Sequence, residues 1–133
     1  VHVDQAIAMS AMFLAEHIQL RAIIALTESG GTARHLSRFR SSVPIYALSR
    51  HSGARRRMGL MRDVYPIDFD SAGLSPRKAA RAAVAHLHSM GLLATGDRVV
   101  ITSGDHMERL GATNTLRLLR VGEGGEAEGL GEL

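Results

Sequence analysis

Cysteine is absent from the 133 residues, and aromatic side chains are scarce: there is no tryptophan, and there are two tyrosines and three phenylalanines. Without cysteine, disulfide bonds and cysteine-based zinc sites are excluded. The few aromatic rings offer little surface for stacking bases, which argues against nucleic acid as a partner. No apolar run approaches the roughly 20 residues of a membrane span, and no signal-peptide pattern is visible. We therefore expect a cytoplasmic protein without a membrane partner.

Acidic residues are concentrated in the C-terminal segment. Residues 122–133 contain four glutamates, five glycines and no basic residue, a composition typical of a disordered tail. The chain has 16 Lys+Arg and 13 Asp+Glu, so residues 1–121, which we take as one domain, carry seven more positive than negative charges. This surplus favours an anionic partner, such as a phosphorylated small molecule.

Helical and extended patterns alternate along residues 1–121, beginning with a leading helix within 1–18. The patterns predict helices at 4–18, 32–40, 52–62 and 75–90, and strands at 22–27, 43–48, 64–69, 98–102 and 115–121. This alternation predicts an α/β domain of three layers, α/β/α, around a five-stranded mixed sheet that is mostly parallel. The loop between the last two strands has no helix, so the last strand is expected to be antiparallel.

End signals support two of the predicted helices. Asp4 is a candidate N-cap of the first helix. The helix at 75–90 has Ser75 as N-cap, Pro76 at its first position and Gly91 just beyond its end.

The loop 27–32, Thr-Glu-Ser-Gly-Gly-Thr, joins the first predicted strand to the second helix. Ligands of open α/β sheets bind beyond the carboxyl ends of strands, where this loop falls. Its glycines let backbone amides approach an anion, and Ser29 and Thr32 supply hydroxyl donors beside a helix start. However, a strand-to-helix turn uses glycine and an N-cap in any case, and neither GxGxxG nor GK[ST] is present. The residues alone leave open a plain turn and a phosphate site.

The other polar residues show no catalytic or metal-binding pattern. His86 and His88 are two apart on a predicted helix and point in different directions, and Asp68 and Asp70 are more typical of a turn than of an acid/base pair. The run Arg55–Arg57 favours a solvated helix face. We therefore predict no catalytic residue and no metal site.

Two stretches resemble the C-terminal allosteric α/β domain of pyruvate kinase. AIIALTESGGTARHLSRFRSSVPIYALSRH (22–51) is similar to its opening and GDRVVITSGDHMERLGATNTLRLLRV (96–121) to its close, with a match in order from about Ala6 to Val121. The family transfers phosphoryl from phosphoenolpyruvate to ADP, using magnesium and commonly potassium, in a preceding β/α barrel. The resemblance therefore implies no cofactor in this domain, Mg and K only in the full-length enzyme, and no kinase activity of the isolated chain.

The resemblance also implies an effector site. In relatives the loop Thr-x-Ser-Gly-x-Ser/Thr holds the phosphate of a sugar phosphate, and a glycine loop before Thr-Asn-Thr closes over it. The matching positions are Thr27, Ser29, Gly30, Gly31 and Thr32 for the phosphate, with Gly111 and Thr113 in the closing loop.

Two departures from the family pattern indicate a monophosphate. Glu28 stands where relatives that respond to fructose bisphosphate can have lysine, and Gly31 where many have a basic residue. A carboxylate would repel a second phosphate at a cost of roughly 1 kcal/mol or more. We therefore expect a sugar monophosphate or AMP, not fructose 1,6-bisphosphate.

Further partners follow from the same resemblance. In relatives a basic residue of the long helix binds the ligand, and the candidates for that residue here are Arg77, Lys78 and Arg81. Family members are oligomers with contacts partly through the last strand, so Leu116–Val121 is a candidate pairing edge. Two alternatives remain: a structural or oligomerisation module without a ligand, and a small enzyme on this fold acting on a phosphorylated substrate.

Overall fold

The computed structural model describes residues 2–104 and 113–129. Within them the chain forms four α-helices and six strands. In chain order these are α1 (Val3–His17), β1 (Ala22–Leu26), α2 (Gly31–Ser37), β2 (Ile45–Ser49), α3 (Ser52–Met58), β3 (Val64–Asp68), α4 (Pro76–Ser89), β4 (Arg98–Gly104), β5 (Thr113–Val121) and β6 (Ala127–Glu128).

The strands form one mixed sheet in the order β3-β2-β1-β4-β5-β6. The first four strands in that order are parallel, whereas β5 runs antiparallel to β4 and to β6. The predicted α/β class and the predicted antiparallel orientation of the strand after β4 are therefore confirmed.

The predicted number of five strands is wrong, because β6 lies in the segment predicted to be a disordered tail. Residues 122–129 fold back on the domain: the Gly122 amide donates to the Glu126 carbonyl at 2.7 Å, and Arg120 pairs with Glu128 at 3.1 Å. Alanine and glutamate both have low β-propensity, so the sequence did not predict this two-residue strand. The predicted tail residues 130–133 lie outside the described residues.

The core consists of two apolar clusters, and alternate side chains of the central strands belong to one cluster or to the other. On β1, Ile24 and Leu26 belong to the cluster that includes α4, whereas Ile23 and Ala25 belong to the cluster that includes α1, α2 and α3. Successive side chains of a strand point to opposite faces, so helices cover both faces at β1. No helix among the described residues is long and apolar enough to cross a membrane.

Helix ends follow their local signals in most places. The Ser75 hydroxyl accepts a hydrogen bond from the Lys78 amide at 3.2 Å, and Gly91 ends α4 with φ +78°, as predicted. Asp4 is not the N-cap of α1, which begins after His2; its carboxylate instead lies 3.3 Å from His35 of α2.

Candidate functional site

The loop 27–32 follows β1 at the edge of the sheet where parallel strands end. The carboxyl ends of β2 and β4 flank it, because β1 pairs in parallel with both. The start of β5 also reaches this edge, since Thr113 is the register partner of Gly104. Residues distant in sequence therefore meet at one edge, the place where open α/β sheets bind ligands.

Hydrogen bonds between nearby residues hold the loop in a compact turn. The Gly30 amide donates to the Thr27 hydroxyl oxygen at 3.0 Å, and the Gly31 amide donates to the Ser29 hydroxyl oxygen at 3.3 Å. Each hydroxyl still has its own hydrogen to donate, because here it acts as an acceptor. Thr27 and Ser29 can therefore both shape the turn and donate to an anion.

Gly30 allows the turn to close. Its φ is +90°, a conformation that L side chains rarely adopt, and a Cβ there would lie 3.0 Å from Cγ of Met58 on α3. Glycine is therefore required both by conformation and by packing.

A hydrogen bond between threonines joins the loop to β5. The hydroxyls of Thr32 and Thr113 lie 2.5 Å apart, and both residues are buried. Two predicted parts of the site, 81 residues apart in sequence, are therefore in contact. Gly111 lies outside the described residues.

Glu28 does not present a free carboxylate to the loop. Its side chain is only 7% exposed, and one carboxylate oxygen contacts both His51 and Arg50, the latter at 3.3 Å. The sequence argument that Glu28 repels a second phosphate therefore needs correction, because Arg50 offsets its charge and His51 contacts the same carboxylate oxygen.

Arginines of α3 also contact this edge, contrary to the expectation of a solvated face for the whole run. Arg57 donates to the Ser29 carbonyl at 3.3 Å, and Arg55 donates to the Ser49 carbonyl at 2.9 Å and to Asp68 at 3.1 Å. The sequence order could have indicated these contacts. A helix that follows a parallel strand begins at the carboxyl edge of the sheet, so the residues of its first turns lie near that edge.

Metal-binding clusters are absent from the described residues, since no group of three or more His, Asp or Glu side chains could hold an ion. The histidines in ion-pair contact are separated: His51 contacts Glu28, and His35 contacts Asp4.

The family model for the pyruvate kinase alpha/beta domain matches residues 5–119. The chain belongs to the pyruvate kinase family. Pyruvate kinase II of Salmonella typhimurium is 47% identical over 121 residues, which cover 90% of this chain and 25% of that protein. A pyruvate kinase of Buchnera aphidicola is 45% identical over 120 residues, with the same shares covered.

Solved structures agree with the sequence relatives. A crystal structure of a pyruvate kinase from Cryptosporidium parvum matches this fold with a TM-score of 0.77 at 28% identity, covering 90% of this chain and 23% of that one. The chain spans about a quarter of the length of these pyruvate kinases. The resemblance inferred from the two sequence stretches is thus confirmed.

Proposed function

We propose that this pyruvate kinase domain is a regulatory module that binds the phosphate of a small effector in the loop 27–32. The observation that carries the proposal is the Thr32–Thr113 hydrogen bond, which ties the loop to the segment that would close over a ligand. Three hydroxyl groups on one short turn, those of Thr27, Ser29 and Thr32, supply donors for phosphate oxygens.

Positive charge near the loop supports an anionic ligand. The guanidinium of Arg57 lies against the Ser29 carbonyl, and Arg34 is exposed on the first turn and a half of α2. On α4, Arg81 is one of the three basic candidates that the resemblance suggests, and its Nε is buried without a hydrogen-bond partner among the described residues. Arginine is well suited to phosphate because its planar fork makes paired hydrogen bonds.

The preferred effector is a monophosphate, a sugar monophosphate or AMP. Arg50 and His51 are the side chains that a second phosphate would use at this edge, and Glu28 already engages both. A bisphosphate would have to displace that carboxylate. The preference for a monophosphate therefore rests on the contacts that Glu28 makes with Arg50 and His51, and not on a free negative charge.

The activity of the whole protein is proposed from its relatives. We propose that the protein containing this domain transfers phosphoryl from phosphoenolpyruvate to ADP, with Mg and K in a catalytic barrel, as part of cytoplasmic glycolysis. Because that chemistry would take place in the barrel, we expect the isolated chain to be inactive. Turnover of a phosphorylated metabolite by the chain alone would favour the enzyme alternative.

Self-association is proposed through β5. The strand β6 pairs only with Arg120 and Val121, which leaves the outer edge of 113–119 without a partner strand among the described residues. Leu118 on that stretch is 44% exposed. An unpaired edge with an apolar side chain fits pairing with a second copy.

The effector proposal is tested by thermal unfolding of the chain in the presence of AMP or glucose 6-phosphate. A ligand at 100 times its Kd stabilises the folded chain by about 2.7 kcal/mol. We expect stabilisation that is weaker in the Ser29→Ala variant. No response to either phosphate would leave the module without a ligand as the better interpretation.

A further inference from the structure

A second concave region lies at the opposite edge of the sheet, at the amino ends of β1, β2 and β3. Its volume is about 410 Å³, within the usual range of small-ligand sites. Arg21 precedes β1, Asp63 precedes β3, and the rings of Tyr46 and Tyr65 form part of the wall. About five strand residues, or roughly 15 Å, separate this cavity from the loop 27–32, so it is a distinct site.

Two tyrosines on neighbouring strands give the cavity an aromatic wall. Tyr46 of β2 and Tyr65 of β3 are register partners, and their ring centroids lie 6.1 Å apart at an interplanar angle of 53°. Tyr65 is 56% exposed, so its ring is accessible to a flat ligand. Offset or tilted stacking on such a ring stabilises an aromatic guest.

The hydroxyl of Tyr46 is available in this wall. Tyr46 as a whole is only 5% exposed, and its hydroxyl makes no hydrogen bond to any residue that the structure describes. The hydroxyl oxygen itself is not fully buried, so it is accessible to solvent and to a ligand in the cavity. It can therefore donate a hydrogen bond to that ligand.

One cation and one carboxylate lie on the lining. The Nε of Arg21 is 4.0 Å from Asp97, a distance that leaves most of its donors available, and the Arg21 side chain is 47% exposed. The Asp63 side chain has no hydrogen-bond or ion-pair partner within residues 2–104 and 113–129. Asp63 also has a φ of +63°, a conformation that is uncommon for residues other than glycine, asparagine and aspartate.

We propose that this cavity binds a small aromatic monocarboxylate with a hydrogen-bond donor at the far end of its ring. The carboxylate is recognised by Arg21, the ring stacks on Tyr65, and the donor is accepted by Asp63. The Tyr46 hydroxyl completes the set as a donor to the ligand. The Tyr46 hydroxyl and the Asp63 carboxylate have no hydrogen-bond partner among the described residues, and Arg21 has only its 4.0 Å contact with Asp97, so this ligand class gives all three a partner.

The chain offers a specific readout, because Tyr46 and Tyr65 are its only tyrosines. Isotope labelling of tyrosine therefore gives two sets of ring signals in an NMR spectrum, both from the cavity wall. On titration of the full chain with 4-hydroxybenzoate, we expect both sets to shift along one saturation curve. Ring signals that stay in place into the millimolar range would overturn the proposal.

Matched ligands and variants test each contact. Hydrogen bonds to charged groups contribute about 1.5–3 kcal/mol, so we expect binding roughly tenfold weaker or worse for 4-hydroxybenzyl alcohol, which lacks the carboxylate, and for the Arg21→Gln variant. The Arg98→Gln variant removes a nearby exposed charge outside the cavity and should bind normally. Equal binding by 4-hydroxybenzyl alcohol, or by Arg21→Gln, would contradict the proposed recognition.

Discussion

Gly30 determines the shape of the phosphate loop at the scale of a single residue. Its positive φ accompanies a hydrogen bond from the Gly30 amide to the Thr27 hydroxyl, and Met58 leaves little room for a Cβ at this position. The sequence predicts a glycine turn here, but the lack of room beside Met58 depends on where α3 packs. Local patterns do not contain that information.

Substitution of Gly30 by alanine tests this double requirement. Gly73 is the control, because it has a φ of +79° but open space around a Cβ. We expect Gly73→Ala to cost about 1 kcal/mol through backbone conformation, and Gly30→Ala to cost about 1–3 kcal/mol more through the close contact. Chemical unfolding measures both. Equal losses would show that packing against Met58 is unimportant.

The contacts of Glu28 give a second prediction at this scale. Glu28→Gln keeps the shape of the side chain but removes the charge that holds Arg50 and His51. We expect affinity for fructose 1,6-bisphosphate to rise about tenfold relative to AMP, because Arg50 and His51 are then free to bind the second phosphate. Calorimetric titration with both ligands gives the ratio.

Asp68→Asn is the matched control for that measurement. It removes a 75% exposed carboxylate at the same edge, where it pairs with Arg55, and leaves Glu28 in place. A similar change of ratio in both variants would show a general effect of charge, and no change in Glu28→Gln would contradict the role assigned to Glu28.

Secondary-structure elements differ in how clearly the sequence encodes them. The ends of α4 are readable because Ser75 and Gly91 satisfy backbone groups by local hydrogen bonds. The strand β6 is not readable from its two residues, because it is stabilised by pairing with β5 and by packing on α4. Helix α3 ends at Met58, before its predicted end at 62, and the residue that follows it, Gly59, has low helix propensity.

The docking of residues 122–129 on α4 is tested at Gly125. A Cβ there would lie 2.9 Å from Nδ1 and 3.0 Å from Cβ of His88, whereas Gly124, also at positive φ, has open space. We expect Gly125→Ala to lower the free energy of unfolding by about 1–3 kcal/mol more than Gly124→Ala. Equal effects in thermal or chemical unfolding would indicate that this segment does not pack on α4.

At the scale of the whole molecule, the sheet order brings the site together. Strand alternation predicts that the ends of β1, β2 and β4 share an edge, and the family pattern adds the start of β5. The pairings that depend on side-chain reach were not predictable, as Glu28 with Arg50 and His51 shows. Such contacts join residues more than 20 positions apart and follow from packing, which a single sequence does not specify.

The free edge of β5 predicts self-association of the chain. Leu118→Glu places a charge on the exposed part of that edge, and we expect a shift toward monomer in sedimentation velocity. Leu60→Glu is the control, because Leu60 is 91% exposed on the turn after α3. An identical mass distribution for Leu118→Glu and the parent chain would exclude pairing through β5.

The phosphate site is tested most directly by mapping backbone amide shifts during titration with AMP and glucose 6-phosphate. Binding in the loop should move the amides of 27–32 and of Thr113 first and furthest, with saturation, and Ser29→Ala should weaken the affinity about tenfold by removing one donor to a charged ligand. Saturable shifts confined to other regions, or no shifts with either phosphate, would contradict a regulatory phosphate site in this domain.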